Sequence, residues 1–225
     1  MVKNMAHRYK AIMFDFDGVI CESNEVKTEA FRMLFAEFPE CLNQIIDYHR
    51  INGGLSRFKK FEFIYREILR KKLDKKESEK LGERFSKYVY QRVLESPFVS
   101  GAYDFLERNH KRFSLFVISG TPQDEIVSIV NERKLNRFFR GVYGSPATKS
   151  QMIQRILKEE NWTPGDVVFV GDSVNDYEET RAAGVRMVGR IQNDDNLFGA
   201  LAVEAIIRDM NDLEAVLNSP NTEFA

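Results

Sequence analysis

The sequence predicts an α/β protein built on a parallel sheet and interrupted by an all-helical insertion, and three observations carry that prediction. After residue 96, short apolar runs alternate with amphipathic helical stretches, the pattern of strands joined by crossover helices. Residues 21–96 are charged, rich in Phe, Lys, Arg and Glu, helical in period and without any convincing strand. One further apolar run, residues 10–16, precedes that block, so the insertion falls just after the first strand. The expected division is a core made of residues 1–20 and 97–225 and a helical insertion of residues 21–96. A chain of 225 residues is long enough to bury such a core.

The other strands are expected at residues 112–118, 141–143, 167–170 and 185–188, with a short edge strand at 205–207 and a helix over about 211–217. Thr121-Pro122-Gln123-Asp124-Glu125 reads as a helix start, with a hydroxyl at the N-cap, proline in the first helical position and acids in the first turn. Residues 149–160 place Met152, Ile153, Ile156 and Leu157 on one helical face, which should meet the core. Within the insertion, Phe31, Leu34, Phe35 and Phe38 mark one helix, Phe58, Phe61, Ile64, Tyr65 and Ile68 a second, and residues 77–94 a third. These aromatics are expected to form the insertion's own core. Gly53-Gly54 breaks the block and suits a loop facing the sheet, and the basic run 70–76 reads as a solvated helix end.

Thirty-three basic residues against 34 acidic ones leave no broad field for nucleic acid or an anionic membrane. Cys21 and Cys41 have no metal-binding spacing and read as plain thiols, and His7, His49 and His110 have no spacing that suggests a metal site or relay. No run of about 18 apolar residues occurs, and the first ten residues lack the apolar stretch of a signal peptide, so a cytoplasmic protein is expected.

The chemistry gathers at the predicted strand ends. The run AIMFDFDGVI, residues 11–20, carries two carboxylates in an apolar segment, and buried charges must be paired, metal-bound or neutralised. Open α/β sheets collect functional groups outside the carboxyl ends of their strands. There the sequence offers Asp15 and Asp17, then Ser119-Gly120-Thr121, then Gly171-Asp172-Ser173-Val174-Asn175-Asp176, with Lys149 opening the helix before that last strand. Carboxylates suit a hard cation such as Mg²⁺, while a hydroxyl, a lysine and backbone N–H groups suit phosphate oxygens.

DFDGV, VISGT, Lys149 and GDSVND, in that order, resemble the four motifs of the haloacid dehalogenase-like hydrolase superfamily. The insertion resembles the small α-helical cap of its phosphoglycolate phosphatase and β-phosphoglucomutase branch, and the resemblance implies a Rossmann-like core. It further implies that Asp15 is a nucleophile forming an aspartyl-phosphate and that Asp17 is the general acid and then the base. Mg²⁺ would be held by Asp15, Asp172 and the backbone carbonyl of Asp17. Ser119, Gly120 and Lys149 would hold the phosphoryl group, with Asp176 orienting Lys149 or a metal-bound water and Asn175 beside them. Dehalogenases and phosphonatases of this superfamily lack an acid at the position of Asp17, so its presence favours phosphate-ester chemistry. Where relatives show Pro-Gly after the cap, this chain has Pro97-Phe98-Val99-Ser100-Gly101, which puts hinge geometry in doubt.

In the basic, glycine-containing stretch 50–60, Arg50, Asn52 and Arg57 are candidates for recognising the leaving group. The expected activity is Mg²⁺-dependent hydrolysis of a small soluble phosphorylated metabolite by a monomer or dimer, without nucleic acid or membrane. A phosphomutase shares every core residue and stays open. A receiver-type signalling domain also surrounds an aspartyl-phosphate with acids, a hydroxyl and a lysine, but GDSVND after Lys149 and the insertion count against it. A binding protein with a dead site would need a lost motif residue, and none is lost.

Overall fold

The structure, a computed structural model, describes residues 8–192 and 197–219; His7 lies outside them. The strands are β1 (Ala11–Phe14), β2 (Ser114–Pro122), β3 (Gly141–Ser145), β4 (Val167–Gly171), β5 (Arg186–Arg190) and β6 (Ala205–Ile207). They form one parallel sheet in the order β3-β2-β1-β4-β5-β6, with Ile12 opposite both Leu115 and Val168. This is the Rossmann order, whose switch point lies between β1 and β4.

Alternate side chains of each central strand enter two separate cores, as the two-residue strand period requires. Ile12, Phe14, Leu115, Val117, Val168 and Val170 face one side, where α5 (Ala102–Asn109), α6 (Gln123–Glu132) and α9 (Leu213–Asn218) pack. Ala11, Met13, Phe116, Ile118, Val167 and Phe169 face the other, against α7 (Lys149–Glu159), which brings in Met152, Ile153, Ile156 and Leu157. Helix α8 (Val174–Ala182) follows β4. Because both faces are covered, the strands read as continuous apolar runs rather than as an alternation.

Between β1 and β2 the chain forms α1 (Asn24–Leu34), α2 (Leu42–Ile51), α3 (Arg57–Phe63) with a wider π-helical turn at Ile64–Ile68, and α4 (Lys75–Glu95). Their aromatics make the insertion's interior: the Phe31 ring lies 5.3 Å from Phe85, 5.7 Å from Phe61 and 6.1 Å from Phe35. Helix α2 lacks a sequence signal. Its N-cap is Cys41, which makes no capping bond, and only Ile45, Ile46 and His49 are buried. The two connections to the core are joined by Glu22 N–H to Pro97 O (2.9 Å) and Val99 N–H to Ile20 O (3.0 Å). One expected boundary moves: β2 continues through Pro122, so the cap residue of α6 is Pro122 and Thr121 is not an N-cap. No described helix is long and apolar enough to cross a membrane.

Candidate active site

Strands β1 and β4 are wholly buried and end side by side, so the residues just beyond them meet at the sheet's carboxyl edge. Asp15 is anchored by its N–H to Val170 O (2.9 Å), and its Oδ1 accepts from the Phe16 N–H (2.7 Å). Its Oδ2 lies 2.9 Å from Lys149 Nζ. Lys149 opens α7, where Thr148 and Gln151 form a reciprocal capping box that fixes the helix start. A cation suits that end of the helix dipole poorly, and two acids offset the cost: Nζ contacts both Asp15 and Asp176. Asp176 in turn is locked by the start of α8, its Oδ2 accepting from Ser173 Oγ at 2.8 Å and from the N–H groups of Asp172 and Ser173 at 3.2 Å.

Asp15, Asp172 and Asp176 bring carboxylate oxygens within 4.8 Å of one another. One lysine cannot balance three such acids. Burial, together with Asp176 and Asp17, pushes the Asp15 carboxyl up to about 7 against the pull of Lys149, while burial and Asp15 hold Asp172 well above the ordinary carboxylate range. Burial alone would discharge Lys149, but Asp15 and Asp176 hold its ammonium charged. Oxygen ligands with excess negative charge fit a hard divalent cation.

Asp17 is in a different state. Burial opposes its charge, yet contact with Lys27 Nζ and a 2.6 Å hydrogen bond from Ser23 Oγ hold its carboxyl below the usual value. Lys27 also donates to Thr121 Oγ1 (2.9 Å), and Asn24 Nδ2 donates to Asp172 Oδ2 (2.6 Å). Ser23, Asn24 and Lys27 were not singled out in the sequence. Their only signal is spacing: residues three and four apart at the start of α1 share a face, and here that face meets the strand ends.

The remaining predicted residues divide. Ser119 is buried at the end of β2, its Oγ accepting from the Thr121 N–H (3.1 Å), beside Gly120. A Cβ on Gly120 would stand 2.3 Å from the Gly54 carbonyl oxygen, and one on Gly54 would stand 3.1 Å from Lys149 Nζ. The Gly53-Gly54 loop thus lies against the sheet edge. Asn175 is half-buried in the first turn of α8 and makes no side-chain hydrogen bond among the described residues. Asn52 is turned inward on its own helix, donating to Tyr48 O (2.8 Å). Arg50 is exposed, 3.6 Å from Glu25. Arg57 is buried and forks onto Glu125 of α6 (2.5 and 3.1 Å) and Ser86 (2.7 Å). Arg190, unremarked in the sequence, pairs with Glu22 (2.6 Å) and donates to Gly18 O (3.0 Å), holding the loop after β1.

Between the sheet edge and the helical insertion lies a cavity of about 600 Å³, lined by Asp15, Asp17 and Asp172 below and by residues of α1, α2 and α3 above. Acids in excess, a charged lysine and a partly open cavity at the switch point of an α/β sheet form a site of the kind in which such proteins bind ligands, and its donor set is chemically suited to a hard cation and an anion. The chain belongs to the haloacid dehalogenase-like hydrolase family, whose sequence model matches residues 12–190. It is similar to phosphoglycolate phosphatase 1 of Pseudomonas aeruginosa, 27% identical over 79% of this chain and 67% of that one. It is also similar to a phosphorylated carbohydrates phosphatase of Thermotoga maritima, 24% identical over 80% of this chain and 83% of that one. Among solved structures, a haloacid dehalogenase-type hydrolase of Bacillus subtilis bound to magnesium shares the fold. Its TM-score is 0.68 at 16% identity, over 94% of this chain and all of that one. Both sequence relatives are phosphatases, and the chain is a hydrolase of phosphatase type.

Proposed function

We propose that the protein is a Mg²⁺-dependent phosphomonoesterase that hydrolyses a small phosphorylated metabolite of the cytoplasm through an aspartyl-phosphate on Asp15. The observation that carries this reading is the contact of Asp15 Oδ2 with Lys149 Nζ at 2.9 Å, inside a cluster of acids that one lysine leaves over-charged. Asp15 and Asp172 are the side chains that would hold Mg²⁺. Both carboxylate oxygens of Asp17 already have partners in Ser23 and Lys27, which leaves its backbone carbonyl for the metal. A bound Mg²⁺ supplies charge neutralisation between a carboxylate nucleophile and a phosphate dianion.

A carboxylate oxygen of Asp15 forms a bond to phosphorus while the ester oxygen departs with its electron pair and takes a proton from Asp17. Water then adds to the phosphorus of the aspartyl-phosphate and gives its proton to Asp17, releasing inorganic phosphate and restoring Asp15. Lys149 and Ser119 hold the transferring group. The ion pair with Lys27 suits Asp17 to the second half of this cycle, since it favours the carboxylate. In the first half Asp17 must carry a proton, so Lys27, which belongs to α1, has to withdraw. The helical insertion, residues 21–96, thus acts as a cap that sets the state of the acid as well as the size of the substrate.

The test is phosphate release over a panel of phosphorylated metabolites, with Mg²⁺ and with chelator, beside Asp15→Asn. The expected results are loss of activity with chelator and a fall of at least about 10⁴-fold in the variant. A variant as active as the parent sinks the mechanism. A phosphomutase outcome would appear as isomerised sugar phosphate without free phosphate.

A further inference from the structure

The cations that line the cavity are, with one exception, neutralised. Lys27 faces Asp17, Arg50 faces Glu25, Arg57 faces Glu125 and Arg190 faces Glu22. Lys60 does not fit that pattern. It sits in the middle of α3, is 3% exposed, and has no carboxylate within ion-pair distance among the described residues. Its only hydrogen-bond partners among the described residues are Nδ1 and the carbonyl oxygen of one residue, His49, both at 3.1 Å.

An ammonium has three protons to donate, and His49 takes two of them. With Nδ1 accepting from Lys60, the imidazole carries its own proton on Nε2, which has no protein acceptor among the described residues. His49 cannot itself add a charge: burial and the neighbouring Lys60 push its pKa down to about 2. It stacks on Phe31 at 4.2 Å, which fixes the ring plane. Two N–H donors and one formal charge thus stand unanswered in the wall of a cavity whose opposite wall binds phosphate.

A buried charge without a paired counter-ion is costly: burial and Lys27 lower Lys60 to about 7, and the more distant pull of Asp17 and Asp172 only partly offsets them. Packing offsets that cost only in part, through the Phe31 ring 5.6 Å from the ammonium, whereas the other buried cation of the insertion, Arg57, has a carboxylate of its own in Glu125. The chemistry that removes the rest of the cost is an anion delivered by the substrate. One unit of charge with a neutral donor beside it matches a carboxylate and falls short of a phosphate dianion.

We infer that Lys60 and His49 form a receptor for a carboxylate on the leaving group, so that the substrate class is the phosphate monoesters of small hydroxy acids. This inference rests on the phosphatase reading above and adds specificity to it. It also moves recognition away from Arg57, whose guanidinium is committed to Glu125 and Ser86.

The test compares 2-phosphoglycolate with ethyl phosphate, which has a methyl group where the acid has its carboxylate, with Mg²⁺ present and phosphate release as the readout. The parent protein should favour the acid by roughly 10²-fold in kcat/KM, the scale of a charge-assisted hydrogen bond in a dry site. Lys60→Met should cut that preference at least tenfold, through KM for the acid. Lys60→Gln carries the same expectation should the Met variant not fold. A parent ratio near one overturns the receptor, and so does a variant that loses both esters equally. Release from neither ester, nor from any of a wider panel of phosphates, would instead remove the phosphatase reading itself.

Discussion

At the carboxyl edge of the sheet Asp15, Asp172 and Asp176 crowd around one lysine, whereas across the cavity Lys60 stands in a wall of aromatic rings with no carboxylate within ion-pair distance among the described residues. The floor therefore has surplus negative charge and the roof surplus positive charge. Both surpluses show as groups near neutrality, Asp15 raised to about 7 and Lys60 lowered to about 7, with burial as the largest cause in each. The comparison teaches what each wall awaits: a cation below and an anion above. A phosphorylated acid bound with a divalent metal supplies both.

The sharpest way to break this picture is to remove the one cation the floor possesses. Lys149→Met leaves Asp15 and Asp176 buried without their shared cation, which should cost about 3–5 kcal/mol of stability by the usual penalty for half of a buried ion pair. Phosphate release should fall by roughly 10³-fold, as expected for loss of a preorganised charge at the reacting group. Urea unfolding and a phosphate assay check the two arms. Unchanged turnover in a folded variant would show that the floor does not need this lysine.

The next effect concerns the proposed divalent cation. Asp15 has a folded pKa raised above its unfolded value, so its contribution favours the metal-free fold fully below about pH 4 and is lost as pH rises through about 7. Metal-free protein should accordingly show a urea midpoint that falls between about pH 4 and 7 and levels off above that. Mg²⁺ must displace the proton held by this site, so its affinity should weaken by up to about tenfold per pH unit below 7. Calorimetric titration at pH 6, 7 and 8 measures this. A pH-independent affinity would mean that Asp15 does not ligate the metal.

The two walls also differ in how far the sequence disclosed them. Asp15, Asp17 and Asp172 stood out because they follow short apolar runs, which a parallel sheet carries to one edge whatever else the chain does, and Lys149 and Asp176 stood out by their place in the ordered motifs. The central strands were legible for the same reason, since runs buried on both faces are continuous in the sequence, while the part-exposed edge strands β3 and β6 showed only as short apolar runs. The roof offered no such rule. Lys60 lies in the stretch Arg57-Phe58-Lys59-Lys60-Phe61, where one of two adjacent lysines is exposed and the other is buried, and only packing against His49 tells them apart. His49 itself belongs to α2, whose polar sequence and uncapped start hid the helix. Ser23, Asn24 and Lys27 carry no motif of their own, and only the fold lays them over Asp17 and Asp172.

Two arginines of the roof give the smallest effects and the finest resolution. Both entered as recognition candidates, and their surroundings separate them. Arg57 ties α3 to α6 through a bidentate pair with Glu125, buried on both sides, and its plane lies 4.4 Å over the Phe85 ring. Arg57→Ala leaves Glu125 without its partner and loosens the insertion against the core. It should therefore raise KM by about threefold to tenfold for the acid and for the uncharged ester alike, because positioning of the roof serves every substrate. Arg50 is exposed, with Glu25 as its one ionic neighbour among the described residues at 3.6 Å, and pairs of that kind contribute about 0–1 kcal/mol. Arg50→Ala should change KM by less than about twofold. Steady-state kinetics of both variants on the same two esters decides the matter. If Arg57→Ala lost only the acid, the carboxylate would sit on Arg57 and the surplus charge of Lys60 would need another explanation.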